Sequence, residues 1–466
     1  MSTLKRCLLA GSIVLCAVEI LLHAVTRLAW LTLPSDTVVS FDRFFQGEDP
    51  PFQKRLHEPD CDLIYRSRAN VRITYPRVTK FEHRPATYTV QTDEHGFRTP
   101  RFAERKPPGT FRVVCLGDSS TLGMNVEDDD PYPQVLARLL EDTRPGRFEV
   151  LNLGVIGYTS RQGLELIRQR VLHYQPDLVI FAFGTNDRFW RSPRSDDELI
   201  RATQGAWACL GLRLDARLDH ILSYRLLKRG ASFMRRAPQP TSPAPAVQPR
   251  ESLEGMRDNI VSAYSLLHEK GIPLLVLNTD FFVTDARQAM GAAVERTGAA
   301  YIDLERVFSE QRNERTHQIE QEHHLSPAQG RSGMMLVRVL APAARGVGIE
   351  WSAFAGPPAN GRLRDDGLEG DQLAGDGIWS GFIPGNTGNR IHYVFWEETD
   401  AGGRKEFQPG RHQVIPSSGV GAIDTFGEFY LHSDGSHPDE EGHRLIAQTL
   451  LPYVLSIESA HDAAAP

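Results

Sequence analysis

The sequence has no basic excess: its 466 residues carry 52 Lys and Arg against 59 Asp and Glu, a formal net charge of −7. Neutralising a phosphate backbone needs a surplus of cations, so nucleic acid is excluded as a partner. Cysteine is scarce. Of the five, Cys7 and Cys16 fall in an apolar N-terminal stretch, leaving Cys61, Cys115 and Cys209, an odd and widely scattered set. By spacing they form neither a metal-ligand pattern nor a disulfide framework, and neither a metal nor a cofactor is expected. Long hydrophobic runs are missing apart from one at the N-terminus, which excludes a polytopic membrane protein. With 41% hydrophobic and 24% charged residues, usage is ordinary and excludes pervasive disorder, collagen-like repeats and a coiled coil. At roughly 100 to 200 residues per domain, the chain should hold two or three folded units.

Lys5 and Arg6 precede an apolar run from Cys7 to Val25 that Glu19 interrupts. It is long enough to cross a bilayer as one helix of roughly 19 residues, although a charge in its centre costs a few kcal/mol. No small-residue cleavage motif follows, and no small residue precedes either cysteine as a lipoprotein site requires. The reading is an uncleaved signal anchor over 7–26, with 1–6 cytoplasmic and the rest extracytoplasmic, periplasmic or extracellular. Arg27 opposes that orientation, and the alternative is a buried helix.

From Phe111 onward, short apolar runs alternate with amphipathic stretches, the pattern of a parallel sheet with crossover helices. Strands are expected at Arg112–Leu116, Phe148–Asn152, Leu178–Phe183, Leu274–Asn278 and Tyr301–Leu304, and helices at Pro133–Leu140, Ser160–His173, Met256–Lys270 and Asp285–Thr297. Pro238–Pro249 reads as a linker. From about Met334 to Val414 the rhythm gives way to short alternating strands between Gly, Asp and Asn turns, and helical character returns at Pro438–Ser456. The fold class is therefore α/β, a three-layer parallel sheet with an inserted all-β sandwich. The expected organisation is an N-terminal extension with strands (27–110), an α/β unit (111–315), the insert (330–416) and the last part of the α/β unit (421–457).

Three expected strands each deliver a polar or glycine group to their carboxyl ends, the rim where open α/β sheets bind ligands. Gly117-Asp118-Ser119 follows the first, Gly157 lies in the turn after the second, and Gly184-Thr-Asn186-Asp187 closes the third. Singly, each also reads as a cap, a glycine turn or an Asx turn. Asp434-Gly-Ser-His437-Pro438 comes last. Its spacing lets the Asp434 carboxylate reach the imidazole and fix the tautomer, freeing Nε2 to take a hydroxyl proton. Pro438 at the first helical position, followed by Asp439, Glu440 and Glu441, makes a helix start that holds the His. His443, His323 and His324 read as structural or solvated. Phe189 and Trp190 could stack on a sugar, but core positions are the favoured reading.

In order and spacing these four blocks resemble those of the SGNH or GDSL hydrolases, over residues 111 to about 310 and 425 to 457. The resemblance implies a flavodoxin-like α/β fold and a serine esterase. Ser119 would be the nucleophile, His437 the base and Asp434 its orienting acid, with Asp118 and Asp187 supporting. The oxyanion hole would be the backbone N–H groups of Ser119 and Gly157 and the side-chain amide of Asn186. Such a site contains what acyl transfer needs: an activated hydroxyl, a base and donors aimed at the developing oxyanion.

The insert carries a run dense in Asp and Gly from Asp365 to Trp379, similar to turns of bacterial immunoglobulin-like modules. Its spacing does not fit the twelve-residue calcium loop, and paired Asp-Gly turns are the favoured reading over a calcium site. Three functions fit the sequence. The first is a membrane-anchored esterase removing small acyl groups, plausibly acetyl esters of an extracytoplasmic glycan. The second is an O-acyltransferase using the same residues, which would need a membrane acyl-donor partner. The third is a non-catalytic glycan-binding surface protein.

Overall fold

The computed structural model describes residues 20, 56–76, 87–218, 221, 223–224, 226–227, 248–279, 284–308, 310–311, 323–327, 334–341, 344–353, 359–368, 374–375, 377–384, 391–398, 403–417, 420–423 and 437–464. Apart from Ile20, the expected anchor lies outside these residues, and so does most of the Pro-rich linker. Among the described residues no helix is long and apolar enough to cross a membrane.

Two hairpins come first: β1 (His57–Asp60) with β2 (Ile64–Ser67), and β3 (Arg72–Pro76) with β4 (Thr87–Gln91). The central sheet is built from β5 (Phe111–Gly117), β6 (Phe148–Gly154) and β7 (Leu178–Ala182). After a two-residue pairing of β8 (Arg191–Ser192) with β9 (Gln248–Pro249), it continues with β10 (Leu274–Asn278) and β11 (Ala300–Asp303). All its pairings are parallel, and the spatial order is β6-β5-β7-β10-β11. Counted within the sheet this is 2-1-3-4-5, the flavodoxin-like order, whose ligands bind where the winding reverses beside its first and third strands.

Every residue of β5, β7 and β10 is buried. Their apolar runs are continuous because both faces are covered. On one face Val114, Leu116, Val179, Phe181 and Val276 meet Leu164 and Ile167 of the Ser160–Gln169 helix and Met256 and Ile260 of the Leu253–His268 helix. On the other face Val113, Cys115, Ile180 and Leu277 meet Leu136 and Leu140 of the Tyr132–Thr143 helix and Ile446, Leu450 and Val454 of the Glu440–Ala464 helix. Tyr65, Tyr75, Tyr88 and Val90 of the N-terminal hairpins join the first of these cores.

After β11 the chain leaves the sheet. β12 (His323–Pro327), β13 (Met334–Leu340), β14 (Val347–Ala353), β15 (Ala359–Arg362), β16 (Ile378–Pro384), β17 (Ile391–Glu398), β18 (Arg404–Ser417) and β19 (Val420–Ile423) form two antiparallel sheets, ordered β12-β13-β16 and β15-β14-β17-β18-β19. Met335, Val337 and Ile383 of the first share a core with Val347, Ile349 and Phe395 of the second. The Asp365 carboxylate accepts from the backbone N–H groups of Gly375 (2.7 Å) and Gly377 (3.2 Å), the behaviour of a turn clamp.

The structure corrects several expectations. Cys61 and Cys209 form a disulfide with Cα atoms 5.3 Å apart, whereas spacing indicated no framework. The Ser160–His173 helix ends at Gln169, where Arg170 leaves the helical conformation, and gives way to a 3₁₀ turn over Val171–Tyr174 that Gln175 closes in a left-handed conformation. The last helix starts at Glu440 rather than Pro438. Asp439 caps it, its Oδ1 accepting from Gly442 N at 2.9 Å.

Candidate active site

The nucleophile turn needs a glycine at 117. A Cβ there would lie 2.0 Å from Thr121 Oγ1 and 2.8 Å from the Ala182 carbonyl, so only hydrogen fits between β5 and the short Ser119–Leu122 helix. Asp118 caps that helix, Oδ1 accepting from Ser120 N at 2.9 Å. Its other oxygen accepts from Asn186 Nδ2 at 3.0 Å, linking the ends of β5 and β7. Asn186 Nδ2 also donates to the Tyr158 carbonyl at 3.1 Å, so one amide joins all three blocks. Gly157 holds φ +75, a backbone conformation that glycine adopts without the Cβ penalty.

Ser119 Oγ lies 2.8 Å from His437 Nε2. These residues are 318 apart in the chain, and the contact is made by docking the last helix. That helix is fixed in three ways: by its apolar face, by the Asp439 cap and by His443, which is fully buried and whose Nδ1 accepts from Tyr132 N at 3.1 Å. Its far end is tied by Glu458, which pairs with Arg147 at 2.8 Å and with Arg144. Ser119 is 8% exposed, so the residue is buried rather than on open surface. Asp434 lies outside the described residues.

Asp187 is fully buried and accepts from Ser160 N and Ser160 Oγ. Burial pushes its carboxyl up to about 7, the Ser160 hydrogen bonds acting against that rise. Glu251 donates its backbone N–H to the Asp187 carbonyl at 3.0 Å. Burial, then the charges of Asp187 and Asp196, raise the Glu251 carboxyl to about 9, which keeps it protonated at neutral pH. Beside them Arg250 and Asp196 form a buried pair with Nη2–Oδ2 at 2.8 Å. Sequence reasoning missed Ser160, Asp196, Arg250 and Glu251: they belong to no recognisable motif, and 54 residues separate the two partners of the ion pair, so no spacing marks them.

Phe189 is 60% exposed, against its expected place in the core; it follows the last residue of a one-turn helix and packs edge-on against Trp190. Among the described residues no group of three or more His, Cys, Asp or Glu is placed to hold a metal ion.

Against this geometry the comparisons can be set. Over 76 residues the chain is 34% identical to the lipoprotein YqeF of Bacillus subtilis, which covers 16% of this chain and 31% of that protein, so the chain spans about a third of the length of this curated relative. Among solved structures, a lipase/acylhydrolase from Enterococcus faecalis shares 16% identity over 43% of this chain and 79% of its own, with a TM-score of 0.27. A lipolytic protein of the G-D-S-L family from Desulfitobacterium hafniense shares 14% over 42% and 77%, with a TM-score of 0.25. These scores are too low to carry an argument. Residues 115–329 match the profile of the GDSL-like lipase/acylhydrolase family, and the match ends before His437. The chain therefore carries a domain of the GDSL-like lipase/acylhydrolase family, a family of ester hydrolases.

Proposed function

We propose that the chain is a serine esterase that cleaves small acyl esters through an acyl-enzyme on Ser119. The observation that carries this reading is the 2.8 Å contact between Ser119 Oγ and His437 Nε2 at the carboxyl rim of a 2-1-3-4-5 sheet. His437 takes the hydroxyl proton as Oγ attacks the acyl carbon, then returns it to the departing alcohol; water repeats the cycle in reverse. Asp434 orients the imidazole. The backbone N–H groups of Ser119 and Gly157 and the Asn186 amide receive the oxyanion, and Asn186 frees a hydrogen by lengthening its 3.1 Å bond to the Tyr158 carbonyl. Asp118 and Asp187 fix the ends of β5 and β7 around these donors.

The substrate we favour is an O-acetyl group on an extracytoplasmic glycan. A disulfide persists in an oxidising compartment, and Cys61–Cys209 supports a place outside the cytoplasm, in keeping with an anchor over 7–26. Residues 330–416 we read as a β-sandwich inserted between the two parts of the hydrolase unit. In the hydrolase unit itself, exposed Phe189 after β7 offers a stacking face for a sugar.

The test is labelling of the full chain with a serine-reactive fluorophosphonate, alongside hydrolysis of p-nitrophenyl acetate. Wild type should label and release acetate, whereas Ser119→Ala and His437→Ala should do neither. A folded wild-type chain that fails to label removes the reading. Labelling with p-nitrophenol released only when a sugar acceptor is added, and the acetyl group recovered as an ester on that sugar rather than as acetate, would replace hydrolysis by transfer.

A further inference from the structure

Gly157 has no side chain to anchor it and a positive φ, so the direction of its N–H depends on what holds the two peptide groups that flank it. Both are held, and by residues far away in sequence. In the Ile156–Gly157 peptide the Ile156 carbonyl accepts from Tyr65 Oη at 2.9 Å. In the Gly157–Tyr158 peptide the Gly157 carbonyl accepts from Arg250 Nη1. A trans peptide is planar with its C=O and N–H pointing opposite ways, so fixing the Ile156 oxygen fixes the Gly157 hydrogen.

The two anchors are themselves immobilised. Arg250 Nε and Nη2 meet both carboxylate oxygens of Asp196, at 3.0 and 2.8 Å, and Nη2 also donates to Gln162 Oε1 at 2.9 Å. Thr159 Oγ1 donates to Asp196 at 2.6 Å. Tyr65 is fully buried, and its own carbonyl accepts from Tyr158 Oη at 2.7 Å. Tyr65 stands on β2, ahead of the residues that match the family profile, and Arg250 follows the Pro-rich segment.

We propose that Tyr65 and Arg250 are positioning residues for the Gly157 donor, holding its peptide groups so that the N–H faces the developing oxyanion before substrate arrives. The inference rests on the esterase reading of Ser119. It makes the N-terminal extension part of the active site, because β2 supplies one of the two anchors. Preorganised donors stabilise the transition state more than the ground state, so loosening one should lower kcat and leave KM nearly unchanged.

The experiment uses the full chain as wild type, Tyr65→Phe, Arg250→Lys and Ser119→Ala, each assayed well below its own melting midpoint so that a destabilised variant is still measured folded. Tyr65→Phe deletes one oxygen and keeps the ring; Arg250→Lys keeps the charge and loses the fork. The expected result is a fall in kcat of about 10- to 100-fold in each, KM within about twofold, and fluorophosphonate trapping slowed in proportion to kcat, because the trapped phosphoryl oxygen occupies the oxyanion position. Wild-type kcat and trapping in either folded variant overturns the proposal. So does a change confined to KM, which would make these residues part of a binding wall. A wild-type chain that is not trapped at Ser119 overturns the underlying reading instead, and Ser119→Ala distinguishes the two failures.

Discussion

Replacing Glu251 by Gln should make the protein more resistant to alkali, with a gain that grows as pH rises. The Glu251 carboxyl is 4% exposed and titrates near 9 in the folded chain against 4.5 in an exposed one. Its surroundings explain the shift: burial comes first, then the like charges of Asp187 and Asp196, with Arg250 and Arg161 opposing. A carboxyl whose folded pKa is raised binds its proton more tightly in the native state. Its contribution is complete below about pH 4.5 and is lost as pH climbs towards 9, the reverse of a salt-bridged acid. Each pH unit inside that window removes about 1.4 kcal/mol, so wild type should lose about 3 kcal/mol relative to Glu251→Gln between pH 6 and pH 8. Gln keeps an oxygen for Asn259 Nδ2, now 3.4 Å from Glu251 Oε2, and the swap is nearly isosteric. Thermal melts of both proteins across pH 5.5 to 9 measure the difference. At about 2 to 4 °C per kcal/mol the gap in midpoint should widen by roughly 6 to 12 °C from pH 6 to 8. A constant gap would refute the reasoning, since a change in packing alone has no pH dependence.

Asn186→Ala should lower kcat by about 10² to 10³, measured with p-nitrophenyl acetate, because it removes the proposed oxyanion donor and the link between Asp118 and the Tyr158 carbonyl. Gly117→Ala should destabilise by about 1 to 3 kcal/mol and slow phosphonate labelling, since its methyl group would lie 2.0 Å from Thr121 Oγ1; an unchanged melt and labelling rate would contradict the close approach. Joint replacement of Cys61 and Cys209 by Ala opens a closure 148 residues long, worth about 5 kcal/mol by chain entropy, and should lower the melting midpoint to that of the reduced wild type.

The central sheet was legible because strands covered on both faces carry continuous apolar runs, and each of the five central strands lies within a residue or two of its expected position. The site was legible where its chemistry is local. Gly117-Asp118-Ser119, Gly157 and Asn186-Asp187 are short words at strand ends, and parallel pairing brings those ends to one rim. What escaped depends on tertiary contact alone. The partners of the disulfide are 148 residues apart, and the Tyr65 and Arg250 contacts to the Gly157 turn span 91 and 93 residues, so nothing near either residue announces its partner. Phe189 was misplaced for a related reason. An aromatic pair after a buried strand reads as core, but the intervening helix is a single turn and ends before it can carry Phe189 inward.

The Cys61–Cys209 bond also divides the molecule topologically. The covalent ring it closes contains Ser119, Gly157 and Asn186, while His437 lies outside it, well beyond Cys209 in the chain. The hydroxyl and the residues around it therefore belong to one covalently closed unit, and the imidazole reaches them only through the packing of the Glu440–Ala464 helix. Cutting the chain between Cys209 and His437 would leave that ring closed and remove the imidazole that meets Ser119 Oγ. The Ser119–His437 contact thus depends on non-covalent packing alone: loosening that helix parts the two residues while the ring stays closed.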